Sequence, residues 1–314
     1  MRLVTFDAGY GARLGQLDGE FVVDLNAAYA ALLASRGVPR ARVRARLEVP
    51  PDATAFLAEG PDARRRAEEA VAFARGAAVR GLRTARAGLP LLPVVPRPPK
   101  VICVGLNYRD HAEESGMKIP EHPVFFSKFT SSLIGAGQPI VAPRVSPQLD
   151  YEVELAVVIG RPGRYIREAD AHAHVAGYTI LNDVSVRDYQ FRTGQWLIGK
   201  VFDRSTPVGP ALVTADEVPD PEALRLTTTV NGRLLQDGNT RNFIFGIAKV
   251  IAAISEILTL EPGDLIATGT PAGVGFARKP PLFLKAGDTM VSEVEGLGRL
   301  ENPVVAEARG APRA

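Results

Sequence analysis

The sequence has little cysteine, no long apolar run and no strong excess of either charge. Its one cysteine, Cys103, excludes an internal disulfide. The apolar run Val101–Val104 around it predicts a buried structural thiol; a nucleophilic role is the weaker alternative, because no histidine or cationic neighbour is close in sequence. The first residues lack the apolar core of a signal peptide, and no stretch approaches the roughly 18 apolar residues of a membrane span. We therefore expect a soluble, cytoplasmic protein without a membrane partner.

The charge balance argues against a nucleic-acid partner. Lys and Arg number 37 against 35 Asp and Glu, for a formal charge of +2, whereas a nucleic-acid surface needs clustered excess base. The arginine-rich stretches Arg40–Arg46 and Arg64–Arg66 are interrupted by other residues and are typical of solvated helix faces. The 46% hydrophobic content is that of an ordinary globular protein with a sizeable core.

A proline-rich segment divides the chain. Prolines recur through residues 89–100, which excludes helix and central strand there and indicates a linker or an edge segment. We place the domain boundary at this segment, with a small N-terminal α+β domain at 1–95 and a catalytic domain at 96–314. The first domain is expected to begin with a β unit over residues 1–30, with a hairpin turn at Asp18-Gly19, and to contain a helix over 52–76.

The second domain is predicted to be mainly β. Runs of β-type sequence predict strands at Lys100–Gly105, Val124–Lys128, Glu152–Ile159, Ala176–Asp183, Leu224–Val230, Arg233–Gln236, Leu265–Thr268, Met290–Val294 and Arg299–Glu301. One helix is predicted over 243–258 from apolar residues at helical spacing, and 306–314 is expected to fray. The fold class is therefore α+β.

Two glutamates at the start of a predicted strand indicate a metal site. Side chains alternate along a strand, so Glu152 and Glu154 lie on the same face, ahead of an almost unbroken apolar run. Two such carboxylates repel each other unless one is protonated or a hard divalent cation lies between them. Asp183, which ends another apolar strand, is the candidate third ligand. The alternative is that the glutamates form the solvent side of an edge strand.

Further candidate residues flank this cluster. If a helix follows Asn107, His111 and Glu114 are at i and i+3 and can form a carboxylate-oriented general base; an exposed surface pair is the alternative. Lys128 and Lys200 interrupt apolar runs, where a lysine either reaches solvent or holds an anionic substrate or enolate. The glycine-rich segment 268–275 lacks the Walker ending, although its amides and the Thr270 hydroxyl can bind a carboxylate. His172 and His174 are predicted to lie on the surface, not at a zinc site.

Five short motifs, in order, give this sequence a family resemblance over residues 98–305. The motifs are Gly105-Leu106-Asn107-Tyr108 with His111, Tyr151-Glu152-Val153-Glu154-Leu155, Asn182-Asp183-Val184-Ser185-Val186-Arg187-Asp188, Gly199-Lys200-Val201-Phe202-Asp203 and Thr268-Gly269-Thr270-Pro271-Ala272-Gly273-Val274-Gly275. The sequence resembles the fumarylacetoacetate hydrolase family. The resemblance implies a mixed β-roll, barrel-like catalytic domain and a homodimer.

The resemblance also implies residue roles. Glu152, Glu154 and Asp183 would bind Mg²⁺, or alternatively Mn²⁺ or Ca²⁺. His111 and Glu114 would activate water, and Lys200 would be the active-site lysine. Arg187, Gln190 and Thr270 would contact substrate. Lys128 is also expected to contact substrate, but from its apolar surroundings rather than from the resemblance. Val186 and Val201 stand where similar proteins carry smaller or hydroxyl residues, which affects pocket shape only.

The expected reaction is cleavage of a carbon–carbon bond in an acylpyruvate-type or fumarylacetoacetate-type 1,3-dicarbonyl acid through a metal-stabilised enolate. The same enolate serves an isomerase or decarboxylase of a 2-hydroxy-diene-dioate or an oxaloacetate-type 2-oxo acid, which is the first alternative. A non-catalytic oxo-acid-binding protein is a remoter one.

Overall fold

The computed structural model describes residues 1–77, 79 and 81–308, which form a mixed α/β structure built on large open sheets. The helices are α1 Leu25–Ser35, α2 Ala41–Glu48, α3 Ala53–Ala58, α4 Gly60–Gly76, α5 Arg109–Glu114, α6 Arg187–Gln190 and α7 Ile247–Ile257. The strands are β1 Arg2–Asp7, β2 Ala12–Asp18, β3 Phe21–Asp24, β4 Arg83–Ala85, β5 Leu91–Leu92, β6 Val101–Gly105, β7 Val124–Ser127, β8 Leu133–Ile134, β9 Ile140–Ala142, β10 Leu149–Asp150, β11 Val153–Ile159, β12 Val175–Asn182, β13 Ser185–Val186, β14 Thr206–Thr214, β15 Arg225–Val230, β16 Arg233–Asn239, β17 Leu265–Ala267, β18 Thr289–Val294 and β19 Gly298–Ala306.

A twelve-stranded sheet organises the molecule. Its main path runs β4-β3-β2-β1-β14-β12-β11-β17-β6-β7, while β5 pairs with β1 and β8 pairs with β14. Strand β1 is antiparallel to β14, so the N-terminal strands continue the sheet that contains the candidate metal ligands. A second sheet has the order β16-β15-β18-β19-β9, and β10 pairs with β13.

Strand β11 lies inside the large sheet, between β12 and β17. All seven of its residues are buried, which explains the nearly continuous apolar run of its sequence. Ala156 and Val158 pack in the core that also contains α1 and α4, whereas Leu155, Val157 and Ile159 pack in the core that contains α7. The sheet is therefore covered by helices on both faces, and β11 is not an edge strand.

The predicted elements differ from the observed ones mainly at the N-terminus. Residues 25–30 were expected to belong to a β unit, but α1 begins at Leu25, because the Asp24 side chain caps it by accepting a hydrogen bond from the Ala27 N–H. The hairpin loop is Gly19-Glu20, one residue later than predicted, since Asp18 pairs with Phe21. The helix expected over 52–76 is two helices, α3 and α4, that meet at Glu59 and Gly60.

Differences in the second half are smaller. Helix α7 begins at Ile247 rather than Phe243, after the extended residue Gly246. Strand β14 was not predicted, because its sequence contains Pro207 and Pro210. Residues 306–314 were expected to fray. Ala306 is the last residue of β19, and residues 309–314 lie outside the described part of the chain. Among the described residues, no helix is both long and apolar enough to cross a membrane.

Candidate metal and active site

Three buried carboxylates converge at one end of β11. One oxygen from each of Glu152, Glu154 and Asp183 lies within 4.8 Å of the others. Glu152 precedes β11 and Glu154 is two residues further, so the alternation of the strand places both on one face. Asp183 directly follows β12, the antiparallel neighbour, and its N–H donates to the Glu152 carbonyl at 2.8 Å.

Two of these carboxylates have cationic partners. The Lys200 Nζ lies 2.7 Å from Glu152 Oε2 and 2.7 Å from Asp183 Oδ2. Arg187 Nη2 lies 2.6 Å from Glu152 Oε1. Although burial alone would raise the pKa of Glu152, the adjacent Arg187 and Lys200 cations lower it far below the ordinary value. Burial opposes the charged form of Lys200 in the same way, yet Asp183 and Glu152 raise its pKa overall.

Glu154 differs from its two neighbours because no ion pair of the described residues includes it. It accepts one hydrogen bond, from the Gly269 N–H at 2.7 Å. Burial and the like charges of Asp183 and Glu152 raise the pKa of Glu154 well above the ordinary value. A set of oxygen ligands with uncompensated negative charge suits a hard divalent cation. The residues present therefore fit the metal that the sequence implies.

Of the pair expected to act as a general base, His111 lines the cavity beside the three carboxylates, and Glu114 does not. Helix α5 places His111 and Glu114 at i and i+3, with His111 Nδ1 3.8 Å from Glu114 Oε2. Glu114 Oε2 also accepts the Gly273 N–H at 2.8 Å. Burial raises the pKa of Glu114, but the interaction with His111 and the Gly273 amide lower it overall. His111 is buried and Glu114 lies at the surface, so the exposed surface position of the alternative hypothesis holds for Glu114 only.

The residues expected to contact substrate do not all reach the cavity. Its wall is formed by Val104, Gly105, Leu106, His111, Ser115, Met117, Phe126, Glu152, Glu154, Asp183, Arg187, Gln190, Phe191, Trp196, Lys200, Thr270 and Phe276. Arg187, Gln190 and Thr270 are therefore among the wall residues, and Arg187 Nη1 donates to Gln190 Oε1. Lys128 is not among them; its Nζ donates to Asp183 Oδ1 at 2.7 Å, and its side chain is fully buried.

Three N–H groups of the glycine-rich segment, which the sequence suggested could bind a substrate carboxylate, bind carboxylates of the protein instead. The Gly269, Gly273 and Gly275 N–H groups donate to side chains of the protein itself, at Glu154, Glu114 and Asp150 respectively. The Thr270 hydroxyl donates to the Val153 carbonyl. This segment thus orients the site carboxylates.

Asp150 is a site residue that sequence reasoning missed. Its buried carboxylate pairs with Arg187 Nε at 2.8 Å and accepts the N–H groups of Gly275 and Phe276. Its position at the head of the Glu-x-Glu motif was the available signal. Gln236 was also missed; its Nε2 donates to the Thr270 hydroxyl, and its Oε1 accepts the Val153 N–H. No pattern near Gln236 predicts these contacts, because its partners are distant in sequence.

Comparison with known proteins agrees with this geometry. The sequence model of the fumarylacetoacetate (FAA) hydrolase C-terminal domain matches residues 100–305. A rat (Rattus norvegicus) protein named oxaloacetate tautomerase Fahd2a, mitochondrial, is 48% identical over 249 residues, which are 76% of this chain and 77% of the relative. The name of this relative refers to mitochondria, whereas the sequence of the present chain led us to expect a cytoplasmic location.

Solved structures extend the likeness to nearly the whole chain. A 2-hydroxyhepta-2,4-diene-1,7-dioate isomerase from Mycobacterium marinum is 32% identical, with a TM-score of 0.73 over 98% of this chain and 100% of the other. A maleylpyruvate hydrolase from Sphingobium sp. SYK-6, in complex with manganese(II) and pyruvate, is 32% identical, with a TM-score of 0.74 over 98% of this chain and 100% of the other. The chain is an enzyme of the fumarylacetoacetate hydrolase family.

Proposed function

We propose that this enzyme catalyses the enol–keto tautomerisation of a small 2-oxo dicarboxylic acid of the oxaloacetate type. The observation that carries the proposal is the 48% identity, over about three quarters of both chains, to a relative named for oxaloacetate tautomerisation. The buried carboxylate cluster supports it, because a tautomerase must stabilise an enolate. This reaction is the alternative that the sequence left open, and it displaces carbon–carbon hydrolysis as the leading hypothesis.

Glu152, Glu154 and Asp183 would hold the divalent cation. When bound there, such a cation supplies a Lewis acid for the 2-oxo and carboxylate oxygens of the substrate. Mg²⁺ is our first choice, because all three ligands are hard carboxylate oxygens. Mn²⁺ is the alternative, since the maleylpyruvate hydrolase of the same family was solved with manganese.

His111 is the residue we assign to proton transfer. Tautomerisation moves one proton between the enol oxygen at C2 and the carbon at C3, and it needs no other reactant. His111 lines the same cavity as the carboxylates and can take up or return this proton. Glu114 Oε2 lies 3.8 Å from Nδ1, and a small shift of either side chain would let it accept a hydrogen bond from the ring and orient it.

Lys200 and Arg187 supply positive charge to the cavity. The Lys200 pKa is raised, so its ammonium stays charged, and the side chain is held between Glu152 and Asp183. A fixed cation that is already oriented can stabilise negative charge developing on the enolate oxygen without reorganisation. Arg187, held by Asp150 and Glu152, is placed to orient a substrate carboxylate.

Carbon–carbon hydrolysis is the second candidate. The observation in its favour is the pair formed by His111 and Glu114 beside the carboxylate cluster, because an oriented imidazole can also activate water. One of the similar structures is named a maleylpyruvate hydrolase.

The products distinguish these reactions. Metal-stripped enzyme would be mixed with oxaloacetate, with and without Mg²⁺ or Mn²⁺, while the ultraviolet absorbance of the enol and the pyruvate concentration are followed together. We expect metal-dependent acceleration of enol–keto equilibration, proportional to enzyme concentration and without pyruvate. Metal alone in the same buffer is the control, because free cations catalyse enolisation.

Other outcomes would contradict the proposal. Pyruvate release from oxaloacetate would identify a decarboxylase. Pyruvate release from an acylpyruvate, with no effect on the oxaloacetate enol, would identify the hydrolase. No metal-dependent turnover of either substrate, together with measurable binding of oxaloacetate, would favour the non-catalytic alternative.

A further inference from the structure

The loop from Gly273 to Arg278, after β17, contacts both helix α5, which carries His111, and the segment that precedes the metal ligand Glu152. The Gly273 N–H donates to Glu114 at 2.8 Å. The Gly273 carbonyl accepts from the Tyr151 hydroxyl at 3.2 Å and from Arg278 Nε at 3.3 Å. The two peptide groups that flank the Gly273 Cα therefore connect the expected general-base pair with Tyr151, the residue that precedes the metal ligand Glu152.

Arg278 joins three separate segments through one planar group. Its Nε lies 3.1 Å from the Tyr151 hydroxyl, and its Nη2 donates to the Leu235 carbonyl in β16. A guanidinium can bind several acceptors in fixed directions, which a lysine ammonium cannot do. Arg278 therefore fixes the loop against Tyr151, between β10 and β11, and against the second sheet.

Gly273 has little freedom to move within this arrangement. Its φ is +102°, and a Cβ added there would lie 2.4 Å from the Leu235 carbonyl oxygen, which is also the acceptor of Arg278. The Gly273 Cα therefore lies against β16, next to the N–H that donates to Glu114. Arg278 contacts both the Gly273 carbonyl and the Leu235 carbonyl, so a shift of Arg278 would disturb the backbone that presents this N–H.

Helix α5 depends on such contacts for its position. It has six residues, and a helix this short is not stable without tertiary contacts. The Glu114 side chain is 25% exposed, and the Gly273 N–H is the partner it has outside its own helix. The orientation of His111 is therefore linked to the position of the loop.

We propose that Arg278 is a positioning residue. It fixes the Gly273 backbone, whose N–H donates to Glu114, and thereby holds α5 and His111 beside the carboxylate cluster. The kinetic consequence rests on the proposed role of His111. The structural consequence does not, so the two are tested separately.

Hydrogen exchange tests the structural consequence in the protein without substrate. Arg278→Gln should increase amide exchange about tenfold in α5, the effect expected on losing a hydrogen bond or two, and should leave β11 and β12 unchanged. Arg278→Lys should give an intermediate increase. Lys279→Gln is the matched control: it alters the exposed neighbour of Arg278 and should leave α5 as in the wild type.

A double-mutant cycle tests the kinetic consequence. Arg278→Gln should lower kcat by about 10- to 100-fold, the effect of a misplaced catalytic group, with a smaller change in KM. If Arg278 acts through Glu114, then in a Glu114→Ala background the same substitution should lower kcat by less than about threefold, because contacting residues are not additive. Mn²⁺ affinity, measured by titration calorimetry, should equal that of the wild type in both single variants.

Several results would contradict the positioning role of Arg278. Unchanged exchange in α5, or faster exchange spread over β11 and β12, would show that Arg278 does not position the helix. Reductions in kcat that multiply in the double variant would show that Arg278 acts independently of Glu114. If His111→Ala and Glu114→Ala keep full turnover, the proposed function of the pair fails, whereas the exchange experiment still decides the position of the helix.

Discussion

At the scale of single residues, the site is defined by a charge imbalance. Its buried acidic groups are Asp150, Glu152, Glu154 and Asp183, and its buried basic groups are Lys128, Arg187 and Lys200. Each acidic group except Glu154 has a basic partner. The uncompensated carboxylate is therefore Glu154, which explains why its pKa is raised and why a cation would stabilise the cluster.

Replacing Glu154 should have opposite effects on stability and on metal binding. Glu154→Gln removes the repulsion from Glu152 and Asp183 and keeps an acceptor for the Gly269 N–H. Without metal, we expect the variant to melt about 2–4 °C higher than the wild type, equivalent to ~1 kcal/mol. Its Mn²⁺ affinity should fall by at least about tenfold. Calorimetric melting with and without Mn²⁺ measures both effects; a variant that binds Mn²⁺ like the wild type would exclude Glu154 as a ligand.

Replacing His111 should affect turnover alone. His111→Ala should lower kcat by about 10²- to 10⁴-fold, the usual contribution of a general acid or base. Mn²⁺ affinity should be unchanged, because the imidazole belongs to α5 and not to the carboxylate set. Glu113→Gln, an exposed change on the same helix, is the control for general disturbance of α5. Wild-type turnover in His111→Ala would mean that another group transfers the proton.

At the scale of elements, the helices of the N-terminal region are joined by one carboxylate. Glu48, at the end of α2, accepts a hydrogen bond from the hydroxyl of Tyr29 in α1, at 2.5 Å. It also pairs with Arg44 at 2.9 Å and lies 3.7 Å from Arg66 in α4. The hydrogen bond from Tyr29 lowers the pKa of Glu48, although burial opposes this effect. Burial and the same hydrogen bond raise the pKa of Tyr29 to about 12.

The stabilisation from Glu48 should depend on pH. A carboxyl whose pKa is lowered by folding stabilises the protein above its unfolded pKa, about 4.3, and this contribution is lost as the pH falls through the lower folded pKa. At pH 7, Glu48→Gln should reduce the free energy of unfolding by about 1 kcal/mol. This difference between the wild type and the variant should become smaller in acid. Urea unfolding of both proteins at several pH values measures this difference in free energy. Glu68→Gln, which alters an exposed pair with Arg64, should change stability little; a gap that is constant with pH would contradict the linkage.

Elements also show why part of the site could be predicted from sequence. The pattern of Glu152 and Glu154 is local, since strand alternation alone places them on one face; the spacing of His111 and Glu114 is equally local. The contact between Asp150 and Gly275 spans 125 residues, and that between Arg278 and Leu235 crosses from a loop to another sheet. No local periodicity encodes such contacts. Strand β14 was missed for a related reason: its pairing with β1 and β12 overrides the prolines that argue against a strand.

At the scale of the molecule, the two predicted domains share one sheet. Strand β1 pairs with β14, with Leu3 opposite Leu212. The core that contains α1 and α4 also contains Ala156 of β11 and Leu265 of β17. The N-terminal 95 residues therefore cover one face of the sheet that carries the metal ligands, and their removal would expose both an apolar face and the edge of β14.

A fragment of residues 96–314 should accordingly fail to behave as an independent unit. Expressed alone, it should aggregate or lack a cooperative melting transition, because the exposed face and the unpaired edge of β14 favour association. Co-expression of residues 1–95 should restore a soluble complex whose melting temperature rises with Mn²⁺, as RT ln(1 + [L]/Kd) requires: about 2.7 kcal/mol at 100 times Kd. Size-exclusion chromatography and calorimetry of both preparations give the answer. A monodisperse fragment with the metal-dependent melting of the full chain would instead establish 96–314 as a domain that folds by itself, and the shared sheet as a docking contact between two domains.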